Sequence, residues 1–139
     1  YTIPIGRAEI KRQGDAVTIV AYSKMLLLAL EVAEELASEG IQAEVVDPRT
    51  LKPLDLETIV ESVKKTGRLV IVEEGWRFAG LGAQIADSVY THAFDYLDAQ
   101  IVRVTGEDVP MPYTRPLEDA AIPDRARVRA AVKQVLHRV

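Results

Sequence analysis

Glu73 and Glu74 head the residues of this chain that could do chemistry. They follow the apolar run Arg68-Leu-Val-Ile-Val72 and so stand at the carboxyl end of a strand, the edge at which open α/β sheets gather their active sites. Neighbouring strand residues point to opposite faces, so the two carboxylates make a poor acid/base pair. Directly behind them, Gly75-Trp-Arg-Phe-Ala-Gly-Leu-Gly82 leads into a helical pattern, a place where backbone N–H groups hold anions or nucleotides. The dinucleotide fingerprint wants a third glycine where this chain has Ile85, and no Gly-Lys-Ser/Thr stretch is present. Two readings stand side by side: a nucleotide or phosphate site at Glu73, Gly80 and Gly82, or close backbone packing. Trp76 and Phe78 in the same stretch suit either an interface or the core.

The remaining chemistry-bearing residues lack partners. The two histidines, His92 and His137, fall late in separate helical patterns with no second histidine at ligand spacing, so both read as solvated surface groups. No Gly-x-Ser-x-Gly elbow occurs, and Ser23, Ser38, Ser62 and Ser88 have no base pattern beside them. The expected catalytic and metal sets are therefore empty. Arg125, Arg129, Lys133 and His137 recur every four residues and predict a basic helix face, solvated or turned to an acidic partner. Met25-Leu-Leu-Leu-Ala-Leu30 is apolar almost all round, which predicts cover on more than one side of that helix.

Composition narrows the partners. Of 139 residues, 21 are acidic and 17 basic, giving a net charge of -4 that draws the chain to neither nucleic acid nor an anionic membrane. There is no cysteine, so disulfides and thiolate chemistry are excluded and a reducing, intracellular setting is expected. The longest apolar run is far short of the roughly 20 residues that span a bilayer. The chain starts at Tyr1 without a signal-peptide pattern, which reads as a cut start.

These residues need elements to position them, and the periodicity supplies an alternation. Ala16–Tyr22 reads as a strand buried on both faces, and 41–47, 68–72 and 99–104 read as further strands. Helical stripes follow: Met25 to Leu36, with Ser23 as cap and Gly40 as stop; Leu56 to Val63, capped by Asp55; Ile85 to Ala93; and Val128 to Val139. Strand–helix alternation implies right-handed crossovers and a mostly parallel sheet between two helical layers. The polar segment Ala8-Glu-Ile-Lys-Arg12 suits a short edge strand. No repeat or change of composition divides residues 1–139, so a single domain is expected. The proline-containing connection from Thr105 to Asp124 is long enough to be functional or packed on a neighbour.

Several stretches resemble one family in order along essentially the whole chain. They are Ile3-Pro-Ile-Gly-Arg-Ala8, Asp47-x-Arg49-Thr50-Leu-x-Pro53-x-Asp55, Gly75-Trp76 with Gly80-x-Gly82-Ala83, and Arg103-Val-Thr-Gly-x-Asp-Val-Pro-Met-Pro-Tyr113 with Ile122-Pro123. The chain is similar to the C-terminal domain of the beta subunit of the thiamine-dependent decarboxylase component of pyruvate dehydrogenase, and the Val-Pro-Met-Pro-Tyr stretch favours the pyruvate enzyme over its branched-chain relatives. The resemblance implies the transketolase C-terminal fold: three α/β/α layers on a mixed sheet of about five strands, mostly parallel with one antiparallel edge.

In that family the thiamine diphosphate and magnesium lie between the alpha subunit and the N-terminal domain of the beta subunit, so the resemblance implies no cofactor in this chain. It implies subunit assembly instead, with the rest of the beta subunit, the alpha subunit and a second beta subunit as partners, and a homodimer as the retained state. It also implies docking of the peripheral subunit-binding domain of the acyltransferase. Asp98 aligns with the family's acidic docking residue and Val139 with its terminal carboxylate, and both would meet basic side chains. The setting implied is the cytoplasm of a bacterium or the mitochondrial matrix of a eukaryote. Leu27 and Leu28 depart from the family pattern, which carries small or polar residues there, often including histidine.

Overall fold

Apolar strands alternate with one-sided helices throughout a computed structural model that describes residues 7–49, 54–76, 81–106 and 123–137. The elements are β1 (Glu9–Arg12), β2 (Val17–Ala21), α1 (Lys24–Ala37), β3 (Ala43–Asp47), α2 (Leu56–Thr66), β4 (Leu69–Trp76), α3 (Leu81–Ala93), a 3-10 turn (Phe94–Tyr96), β5 (Val102–Gly106) and α4 (Arg125–Val135). The sheet order is β1-β3-β2-β4-β5. Four strands run parallel, and β1 alone is antiparallel, pairing Ile10 with Val46 on β3. The charged residues of β1 suit this edge, where one side meets solvent.

Strand parity divides the core in two. Val17, Ile19, Val45, Val70 and Val72 pack with Val32 and Leu36 of α1 and Val128 and Val132 of α4. Val20, Val46, Leu69 and Ile71 turn the other way, onto Ile59 and Val63 of α2 and Ile85 and Val89 of α3. The central strand β2 is buried at every position because helices cover both its faces. Burying each such Val, Leu or Ile side chain contributes roughly 1.5–3 kcal/mol.

The helix ends show which local signals hold. After α1, Gly40 takes φ 82° while its N–H donates to Ala37 and the Ile41 N–H to Leu36. That paired closure needs a left-handed residue. Asp55 caps α2 by accepting the Thr58 N–H at 3.1 Å, and Gly67 ends it at φ 75°. Ser23 differs from expectation: it starts α1 at φ 58°, and its side chain makes no capping bond. A non-glycine residue there carries strain of order 1 kcal/mol.

Three further differences follow from packing. The third parallel strand runs on through Glu73 and Glu74 to Trp76, paired with Gly106. The last begins at Val102 instead of Ala99, because Asp98 is held back by donating its N–H to the Gly67 carbonyl at 2.8 Å. On α1, Met25 and Ala29 are buried but Leu27 is 68 % exposed, so the described residues of this chain do not supply the expected cover on that side. Of the Thr105 to Asp124 connection, Thr105 and Gly106 complete β5, and residues 107–122 lie outside the described residues.

Candidate functional site

Glu73 is a fully buried carboxylate at the centre of the parallel strands' carboxyl edge. Parity with Leu69 and Ile71 turns it towards α3, whereas Glu74 is exposed. Oε1 accepts from Arg103 Nη2 at 2.7 Å, and Oε2 accepts from the Tyr22 hydroxyl and the Gly82 N–H, each at 2.9 Å. The partners come from the residue after β2, from β5 and from the first turn of α3. Burial, then the hydrogen bond and charge of Glu73, push the Tyr22 phenol above its ordinary pKa, so it remains a neutral donor. A buried charge is tolerable only when paired and bonded in this way.

The hub bears on the small-ligand reading of Glu73, Gly80 and Gly82. Gly80 lies outside the described residues, as does Phe78, and the Trp76 side chain is likewise not described. The Gly82 N–H, a donor that an incoming phosphate would use, is already taken by Glu73. A Cβ at Gly82 would press on the Glu73 carboxylate and lie 2.9 Å from Arg103 Nε. The glycine therefore serves close packing around an anion supplied by the chain itself.

A second buried polar network escaped sequence reasoning. Glu44 on β3 is fully buried and pairs with Lys65, accepts from Ser62 at 2.7 Å and accepts the Gly14 N–H at 3.1 Å. Thr18 on β2 bonds both Ser62 and Thr66 at 2.8 Å. The available signal was Ser62 and Thr66, four apart on the apolar face of α2, opposite a lone threonine in an apolar strand. The basic face of α4 is also used internally: Arg129 and Lys133 bond Glu39 at 2.7 and 2.6 Å, and Arg125 lies 3.8 Å from Glu31. The acidic groups that meet this face are Glu31 on α1 and Glu39 in the turn that follows it. Hydrogen bonds from Lys133 and Arg129 hold the Glu39 carboxyl below its usual pKa.

Asp98 lies in a different environment. The chain leaves α3 through the 3-10 turn, and Asp98 sits exposed against Gly67, where a Cβ would come within 2.5 Å of Oδ2. Among the described residues neither Asp98 nor Asp95 forms an ion pair. Phe94 is 65 % exposed and Tyr96 52 %. A shallow cavity of about 460 Å³ opens between Tyr90, Phe94, Asp95, Leu97 and Asp98. His137 lies in this corner with Nε2 3.3 Å from the Asp98 carbonyl, while His92 is exposed on α3. Val139 lies outside the described residues.

Residues 6–128 match the family model described as the transketolase C-terminal domain. The chain belongs to that family. It is 55% identical over 135 residues to a pyruvate dehydrogenase E1 component subunit beta of Rickettsia bellii, covering 97% of this chain and 42% of that protein. Its identity to the mitochondrial counterpart of Dictyostelium discoideum is 51% over 138 residues, covering 99% and 39%. The chain thus spans about two fifths of the length of these relatives. Among solved structures, a split-gene transketolase, described as an inactive beta4 tetramer, superposes with TM-score 0.86 at 35% identity, covering 99% of this chain and 44% of that one. A 2-oxoglutarate:ferredoxin oxidoreductase from Magnetococcus marinus, at TM-score 0.63 and 14% identity over 94% and 20%, shares the fold. The five-stranded mixed sheet with one antiparallel edge is the arrangement the family resemblance implied. Among the described residues no group of three or more His, Asp or Glu side chains could hold a metal ion, and no helix is long and apolar enough to cross a membrane.

Proposed function

We propose that this chain is the assembly and docking domain of a pyruvate dehydrogenase beta subunit, acting within a complex that oxidatively decarboxylates pyruvate and making no bond in substrate itself. The observation that carries the reading is the 55% identity over nearly the whole chain to the matching part of such a subunit. The Gly82 N–H at the start of α3 is taken by Glu73, which supports a reading in which this chain holds no thiamine diphosphate of its own. The coenzyme and its magnesium would then belong to the alpha subunit and to the remainder of the beta subunit.

The partners of the reading are those two, a second beta subunit, and the peripheral subunit-binding domain of the acyltransferase, met at Asp98 and Val139. The relatives include bacterial and mitochondrial proteins, which supports the cytoplasm or the mitochondrial matrix as its setting. Calorimetric titration with a peripheral subunit-binding domain tests the docking part. Binding at low salt that weakens in Asp98→Ala is expected, and absence of binding would remove this part. Light scattering tests the retained homodimer, which a monomeric mass would contradict.

A further inference from the structure

Three of the large apolar side chains exposed among the described residues, Tyr90, Phe94 and Tyr96, lie within seven residues of one another at the end of α3. They are not equivalent. Lys64 Nζ sits 5.3 Å above the Tyr96 ring. Phe94 has the tilted Tyr90 ring beside it, at 6.4 Å between centroids. The Tyr90 hydroxyl accepts the Ile101 N–H at 3.1 Å, which fixes that ring as a platform. Ala93 takes the last buried position of α3, its backbone leaves helical geometry at φ -137°, and Phe94 follows it on the exposed side. The cavity beside Phe94 is bordered by Asp95 and Asp98, two carboxylates without an ion pair among the described residues.

From this we infer that Phe94, held against Tyr90, is the apolar anchor of the acidic corner, and that its occupant is a small basic domain. That domain sets an aliphatic side chain on the Phe94 ring and cations against Asp95 and Asp98. The inference rests on the docking reading above and adds the residue that supplies affinity. Interface affinity concentrates in a few aromatic anchors surrounded by near-neutral contacts, whereas exposed charges at a rim mainly set association rate and salt dependence. The corner offers one anchor and two such charges, within five residues of chain.

Titration of the full chain with a peripheral subunit-binding domain over a series of salt concentrations separates the two contributions. Phe94→Ala is expected to weaken binding about tenfold or more with the slope of log Kd against log salt unchanged. Asp98→Asn is expected to flatten that slope, and Tyr96→Ala to leave Kd within about twofold. Unfolding curves of the Phe94 variant should overlay the wild type; if the alanine variant unfolds, Phe94→Gln keeps bulk while removing the apolar ring. Binding by the wild type that Phe94→Ala leaves within about twofold, or a Phe94 effect that follows salt as Asp98 does, overturns the anchor and leaves docking standing. No binding by the wild type at low salt overturns both.

Discussion

Glu73 and Asp98 are carboxylates of one small domain, satisfied in opposite ways. Glu73 is fully buried and accepts three hydrogen bonds from three different elements. Asp98 is exposed, and among the described residues it forms no ion pair. The difference separates structure from recognition better than position in the fold does. The carboxyl edge of the strands is where α/β sheets gather ligands, yet here that edge is occupied by the chain's own groups. The corner at the far end of α3, with aromatic rings left in solvent, is the part left open to a partner.

The comparison breaks first at Glu73. Glu73→Ala strips a mostly buried Arg103 of its counter-charge and leaves the Tyr22 and Gly82 donors unpaired. Urea denaturation should show a loss of about 3–5 kcal/mol. Gly82→Ala pushes a methyl group into the same hub, and with the carboxylate pinned by its donors a loss of about 1–3 kcal/mol is expected by the same measurement.

Asp55 is an intermediate case: half-buried, it accepts the Ala8 N–H at 2.8 Å as well as the Thr58 N–H and hydroxyl. Burial alone would raise its pKa, but these donors and the Arg7 charge together hold it below the usual value. Asp55→Ala should cost about 1–2 kcal/mol near neutral pH. Because the folded pKa is depressed, this contribution is present above the unfolded pKa and lost as pH falls through the folded one. The gap between wild type and variant in thermal unfolding should therefore close below about pH 4. Asp98→Asn should change stability least, by no more than about 0.5 kcal/mol in the urea experiment, while still weakening docking.

Much of this fold was legible because its signals are local. Alternating apolar runs gave the strands, stripes at helical spacing gave the four helices of the described residues, and polarity placed β1 at the edge. Asp55 and Gly40 mark helix ends through their own backbone chemistry. The polar networks were not legible, because their members meet only after the chain folds. Tyr22 and Arg103 reach Glu73 across 51 and 30 residues, and Thr18 reaches Thr66 across 48. Sequence reasoning left Glu73 open as a ligand group for that reason: the donors that fill it stand after β2, on β5 and in the first turn of α3. It also left the basic face of α4 unassigned, since its partners, Glu31 on α1 and Glu39 in the turn after it, lie some 90 residues away. Asp98 emerged from family resemblance, while the exposed aromatic corner around it emerged only from the fold.

Amide chemical-shift mapping of the labelled chain during titration with a peripheral subunit-binding domain tests the contrast most directly. The account predicts perturbations gathered at Tyr90, Phe94, Asp95 and Asp98, with Tyr22, Glu73 and Gly82 unmoved. Perturbations centred on Glu73 and Gly82, or none at low salt, would contradict it.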